Sequence, residues 1–248
     1  MASYKKRRID QRLVEEGLAP SRARAADLVR RGCVTVAGVP ASKPGALVTD
    51  EEPLAVSAEE TQYVSRGGLK LQAGLEAFGL SPEGRVTLDV GASTGGFTEV
   101  LLARGAAKVY AVDVGRDQLH AVLKADPRVV SLEATDARRL DETLIAEPVA
   151  AIVADVSFIS LTQALPTALK RAGESAWLLA LIKPQFEAGR EAVGKGGIVR
   201  DAKDRERAIA RVRDFLEDEG WRVLGVIQSP ITGGSGNVEF LVGACRDH

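Results

Sequence analysis

The sequence predicts an α/β protein: a doubly wound, mostly parallel sheet whose last strand runs antiparallel, preceded by a small α+β domain. Three observations carry this. From residue 66 onward, apolar strand candidates ("VTLDVGA", "KVYAVDVG", "VVSLEATD", "AAIVADVSF", "WLLALIKP", "WRVLGVI") alternate with helical stretches. Their near-continuous Val, Ile, Leu and Ala runs suit strands buried on both faces. Finally, "VEFLVGAC" follows "WRVLGVI" after a loop of only about ten residues, too short for a helical crossover and therefore antiparallel.

The elements follow in order. Ile9 and Leu13, four apart, mark a first helix closed by Gly17 and Pro20. Ser21 is a natural N-cap for a second helix through Ala25, Leu28 and Val29, stopped by Gly32. "CVTVAGVPASKPGALV" reads as short strands around an Ala-Gly turn. "SAEETQYVS" is the expected linker, dividing a domain over residues 1–60 from one over 61–248. Leu71, Leu75 and Phe78 then have helical spacing, with Ser65 as a cap candidate.

Composition narrows the class. The chain has 248 residues, 45% hydrophobic and 27% charged, which is ordinary for a soluble fold. No apolar run approaches the roughly 20 residues of a bilayer span, and "MASYKKRRID" lacks the apolar region of a signal peptide. Cys33 and Cys245 have neither disulfide-scaffold nor zinc spacing, and His120 and His248 are the only histidines. A reduced, cytoplasmic, metal-free protein is the expectation. The net charge of −1 hides an asymmetry: nine Lys or Arg against four acids precede Gly32, so that end carries +5 and the remainder −6. A basic end on an acidic body suits a polyanion-binding module, although a solvated helical face has the same composition.

"LDVGASTGGFTEVLL" is a strand, a glycine turn and a helix, in which Gly91, Gly95 and Gly96 admit a ligand close to the backbone. The spacing is neither that of the dinucleotide fingerprint nor that of a P-loop. Asp113 ends the second strand, where an acid binds ribose hydroxyls, and Asp136 ends the third. A single acid such as Asp136 reads equally as a helix cap. The ordered set resembles the S-adenosylmethionine methyltransferases, which implies a cofactor site over Gly91, Ala92, Ser93, Thr94, Gly95, Gly96, Phe97, Asp113, Asp136 and Asp155.

Ligands of open parallel sheets lie beyond the strands' carboxyl ends. Asp155 ends the fourth strand and Lys183 the fifth, while Glu239, second residue of an antiparallel strand, starts at the same edge. Lys70 can reach that rim from the preceding helix, though each lysine alone also reads as an ordinary strand-end or surface residue. In order, Lys70, Asp155, Lys183 and Glu239 resemble the catalytic tetrad of the FtsJ-like RNA ribose 2′-O-methyltransferases. "YVSRGGLKL", "VADVSFISL", "LIKPQFE" and "SGNVEF" are similar to the TlyA family of rRNA methyltransferases, whose members also carry the haemolysin name. The basic end resembles the RNA-binding domain type of ribosomal protein S-four. The resemblance implies methyl transfer from S-adenosylmethionine to a cytidine ribose of ribosomal RNA. Lys183 would be the base or orienting group, Lys70 the second cation, and Asp155 and Glu239 their anchors.

Arg8, Arg22 and Lys43, with Arg66 at the junction, are the expected phosphate contacts. Phe158 is read as packing over the cofactor or stacking on a base, and "EAVGKGGIVRD" as a closing loop or plain surface. The nine residues after Glu239 suggest the narrower family form, acting on the large subunit alone. Against a membrane-active haemolysin stands the lack of a spanning or amphipathic segment. An RNA-binding assembly factor without catalysis would have a broken tetrad, and a small-molecule methyltransferase leaves the basic end without a purpose.

Overall fold

Ile9 and Leu13 lie on the buried side of the first helix, as their spacing predicts. In the computed structural model the chain divides into two units, residues 1–62 and 63–248. The structure describes residues 6–19, 21–30, 32–41, 43–57, 64–233 and 236–246. The stretch read as a linker lies mostly outside them.

The small unit runs β1 (Lys6–Arg8), α1 (Ile9–Glu15), α2 (Arg22–Arg30), β2 (Val34–Val36), β3 (Val39–Pro40), β4 (Leu47–Thr49) and β5 (Leu54–Val56). Ser21 Oγ accepts from Arg24 N at 3.2 Å, at the start of α2 where the cap was expected. Ala37 and Gly38 both have positive φ (48° and 80°), the two-residue turn that matches strand twist, and join β2 to β3. A three-stranded antiparallel sheet has the order β3-β2-β5, and β1 pairs with β4. Sequence patterning missed β1, because "KRR" has no apolar alternation to report it. Ile9, Leu13, Leu28, Val29 and Val34 form the core.

The basic end is less free than its composition suggests. Arg12 is 3% exposed; its guanidinium binds Glu16 and the carbonyls of Thr49 and Glu52. Arg7 bridges Glu15 and Asp50.

The large unit begins with α3 (Gly67–Phe78), β6 (Val86–Val90), α4 (Gly96–Ala103), β7 (Lys108–Val112), α5 (Ala121–Lys124) and β8 (Val129–Leu132). It continues with β9 (Val149–Ala154), α6 (Leu161–Ala164), α7 (Pro166–Leu169), β10 (Ala172–Ile182), α8 (Pro184–Glu187), α9 (Ala202–Asp218), β11 (Arg222–Gln228) and β12 (Phe240–Cys245). The sheet order is β11-β12-β10-β9-β6-β7-β8. β12 is antiparallel to both neighbours, and the pairs from β10 across to β8 are parallel. Strand order reverses between β6 and β9, so a ligand crevice is expected there.

The continuous apolar runs follow from this layering. In β10, Leu178, Ala180 and Ile182 enter one core, while Trp177, Leu179 and Leu181 enter the other with α3 and α4. Both faces of the strand are dry, so alternation disappears.

One carboxylate lies inside this sheet. Asp89 of β6 is fully buried; its Oδ2 accepts from Thr98 Oγ1 at 2.7 Å, and Oδ1 has no partner among the described residues. Burial raises its carboxyl to about 7, against the Thr98 hydrogen bond and with added push from Asp155 and Asp113. The folded chain therefore holds a proton that the unfolded chain releases near pH 4, and stability falls as pH rises through that interval. Asp89→Asn removes the dependence: relative to the parent it should gain about 3 kcal/mol between about pH 5 and about pH 8, read from urea unfolding.

Candidate active site

Lys183 directly follows β10, and Pro184, the first residue of α8, ends the ladder by lacking an N–H. Glu239 directly precedes β12, one step past the last register pair, Ile182 with Phe240. Both were expected just inside their strands. The difference arises because the chain turns into α8 at Pro184, leaving Glu239 no partner on β10; its carbonyl instead accepts from Ser229 N at 2.9 Å. Asp155 directly follows β9, tied by its N–H to Val90 O of β6 at 3.0 Å.

The four tetrad residues form two ion pairs. Lys70 Nζ donates to Glu239 Oε2 at 2.5 Å, with residue exposures of only 8% and 3%. Lys183 Nζ lies 2.6 Å from Asp155 Oδ1, an ionic contact without hydrogen-bond alignment, and donates to Ser157 Oγ at 2.8 Å. The second pair is the more accessible, with side-chain exposures of 11% and 22%.

A cavity of about 740 Å³ opens at the same rim, lined by Gly91, Ser93, Asp113, Gln118, Asp136, Asp155 and Phe158 among others. Gly91 has φ +85°, and a Cβ there would lie 2.6 Å from Asp155 O, so only glycine fits. Asp113, just past β7, accepts from Ser93 N at 2.8 Å and Gly115 N at 2.7 Å. It thus shapes the glycine turn as well as lining the cavity. Asp136 lies past the end of β8 rather than on it, because the strand stops at Leu132. It caps the turn Ala137–Arg139 and pairs with Arg138, which holds its carboxyl down at about 2. Asp136 is thus a cap that also lines the cavity.

The rest of the glycine motif is scaffold. Ala92 and Phe97 are buried in the core, Gly95 caps α4 and Gly96 begins it, and Thr94 O accepts from His120 N. Gln118, bonded to Ser93 Oγ at 3.2 Å, is a lining residue that sequence reading missed; no spacing or motif marks it.

Two buried polar residues brace the rim. Glu187, pushed up by burial, accepts from Ser160 Oγ and from Leu161 N, fastening the loop after Asp155 to the turn after Lys183. Asn237, 1% exposed, accepts from Val199 N at 2.9 Å and donates to Gly197 O at 2.8 Å. The glycine-rich stretch 191–201 is therefore anchored to the segment entering Glu239. Both residues lie inside quoted motifs, "LIKPQFE" and "SGNVEF", which was the available signal. Phe158 does not pack inward: it is 92% exposed, has φ +66°, and meets Phe186 with ring centroids 5.4 Å apart.

Of the expected phosphate contacts, Arg8 and Arg22 both reach Asp10, and Lys43 is exposed, all in the small unit. Arg66 stands at the N-cap position of α3 in the large unit without a side-chain cap bond; Ser65 Oγ accepts from Gly67 N there.

Removing one member of the deep pair strands the other charge. Glu239→Ala should cost about 3 kcal/mol of unfolding free energy, measured with denaturant, and Lys70→Met in the same chain should recover much of it.

Comparison with known proteins fits this geometry. Residues 63–246 match the FtsJ-like methyltransferase family and residues 7–53 the S4 domain. The 16S/23S rRNA (cytidine-2′-O)-methyltransferase TlyA of Mycobacterium tuberculosis is 49% identical over 236 residues, 95% of this chain and 88% of that protein. Hemolysin A of Brachyspira hyodysenteriae is 41% identical over 235 residues, 94% of this chain and 98% of its own. A solved structure carrying the hemolysin name, from Streptococcus thermophilus, superposes with TM-score 0.77 at 42% identity, covering 99% and 90% of the two chains. By sequence, by fold and by the charges gathered at one sheet edge, the chain belongs to the FtsJ-like methyltransferase family, in its TlyA branch with an N-terminal S4 domain.

Proposed function

We propose that this protein transfers a methyl group from S-adenosylmethionine to a cytidine ribose 2′-hydroxyl of ribosomal RNA, of the large subunit, the small subunit or both. The observation that carries the reading is the pair of lysine–carboxylate contacts at the rim of the Gly91 cavity. The cavity's residues suit the cofactor. The bare backbone of Gly91 admits a close ligand, and Asp113 and Asp136, which line the same cavity, are suited to ribose hydroxyls and to an adenine amine. Asp155 supplies negative charge between cavity and tetrad. S-adenosylmethionine, when bound, supplies an electrophilic methyl on a sulfonium.

A ribose hydroxyl is a weak nucleophile, so the protein's tasks are alignment and removal of one proton. Lys183 Nζ donates to Ser157 Oγ and has the Asp155 carboxylate beside it, which leaves it a bonding position for the substrate. There it orients the 2′-hydroxyl; the ammonium first gives one proton to water, and as the O–H bond breaks the resulting amine takes the hydroxyl proton, which restores the ammonium. Lys70 adds a positive charge that favours the developing alkoxide, and Glu239 holds that ammonium in place. Phe158 offers an exposed ring on which a nucleotide base drawn from its stack can rest. The S4 domain supplies phosphate contacts through Arg8, Arg22 and Lys43, with Arg66 on the methyltransferase unit. Among the described residues no helix is long and apolar enough to cross a membrane.

The test is labelled methyl transfer to purified large and small ribosomal subunits and to free rRNA, with the ribose block mapped on the product. Lys183→Ala should lose at least about 100-fold in methyl transfer while still binding S-adenosylmethionine. Full transfer by that variant would overturn the role given to Lys183, and no transfer by the parent protein to any rRNA substrate would overturn the function.

A further inference from the structure

We infer that Asp10 is a positioning residue, whose buried carboxylate assembles Arg8 and Arg22, beside Lys43, into a preformed grip for RNA phosphate. The inference rests on the proposed RNA substrate and concerns how the small unit holds it.

Asp10 lies in the first turn of α1 and is 4% exposed. Arg8 grips it with two parallel bonds, Nε to Oδ1 at 2.9 Å and Nη2 to Oδ2 at 2.7 Å. Arg22, from the start of α2, reaches the same Oδ2 at 3.4 Å. The side-chain exposures are 5% for the acid and 46% and 58% for the arginines. The carboxylate therefore faces inward and both guanidinium groups present outer edges to solvent. Lys43 joins them through the backbone: Asp10 N donates to Pro44 O at 3.0 Å, and Lys43 O accepts from Ala46 N to close the turn. Gly45, in that turn, lies against the Arg8 guanidinium; a Cβ there would come within 2.8 Å of Nη1.

An acid among cations awaiting an anion is unfavourable on charge alone, since it cancels one of them. Asp10 does not offset this by capping its helix, because α1 has no side-chain cap. Its side-chain bonds run to the two arginines instead, and among the described residues they leave Arg8 Nη1 uncommitted. The neighbouring arginines are more enclosed: Arg7 is divided between Glu15 and Asp50 with its side chain 32% exposed, and Arg12 is buried on two carbonyls and Glu16. Holding two long side chains in place beforehand surrenders their rotamer freedom during folding rather than on binding. Arg8 also holds the Asp10 carboxyl below its ordinary range, so the bridge stays ionised.

Two substitutions separate positioning from charge. Asp10→Asn makes the unit more positive, so an electrostatic account requires tighter RNA binding. Gly45→Ala leaves charge unchanged, at an exposed turn position whose backbone accepts alanine, and pushes Arg8 off its seat. Binding of the full chain to large-subunit rRNA is measured by filter retention at about 50 and about 200 mM salt, with thermal melts confirming the fold. Each variant should bind rRNA roughly tenfold more weakly than the parent protein. Poly(U), a flexible polyanion needing no fixed geometry, should bind Asp10→Asn at least as tightly as the parent does. Parental affinity for rRNA in either folded variant overturns the inference; should Asp10→Asn fail to fold, Gly45→Ala decides alone. A parent protein that binds no rRNA overturns the proposed function itself, and this grip with it.

Discussion

One strand running against its neighbours decides which charges meet. β12 lies between β10 and β11 and is antiparallel to both, so its first residues stand where the parallel strands end. Were β12 parallel, Glu239 would sit at the opposite edge and Lys70 would be a buried ammonium without a counterion. The reversal therefore stabilises the placement of Lys70 in α3 and completes the group of charges beside the Gly91 cavity. Asp155 and Lys183 need no such device, because β9 and β10 are parallel neighbours whose successors emerge together.

The two lysine–carboxylate contacts differ in character. The Lys70–Glu239 pair is almost closed to solvent and aligned as a hydrogen bond, so it resists rearrangement. The Lys183–Asp155 contact is more open and lacks hydrogen-bond alignment, and Ser157 shares the ammonium. A charge held loosely beside a cavity can exchange partners when a substrate arrives, whereas one held deeply can only set the local field. The bracing residues respect this division. Glu187 and Asn237 fasten the loops around the rim through bonds to backbone groups and Ser160, leaving the Lys183 ammonium to its two partners.

Much of this was legible in the chain. Unbroken apolar runs announced strands buried on both faces, and the short connection before "VEFLVGAC" announced the reversal, because helical crossovers need length. Those two readings together brought Asp155, Lys183 and Glu239 to one edge. What stayed illegible depended on contacts between distant residues. β1 is three basic residues whose only strand signal is its partner β4. Gln118 faces the cavity because of a loop conformation that no pattern encodes. The +5 of the N-terminal segment suggested a freely basic surface, yet Arg12 is buried, since a guanidinium satisfied by two carbonyls and Glu16 behaves as a core residue. The strand ends were misjudged by one residue or more at Asp113, Asp136, Asp155, Lys183 and Glu239, where backbone pairing stops before the apolar signal does.

The deep pair also has a bearing on the order of synthesis. Lys70 and Glu239 are 169 positions apart, among the longest-range contacts at the site. A growing chain can pair β6 with β7 and pack α4 on them long before β12 exists. During that time Lys70 has no counterion, and the rim is one member short. A nascent chain would thus have its glycine turn and most of its cavity before all four charges of the rim had met. The four charges at the rim are complete only when the last strand of the sheet is in place.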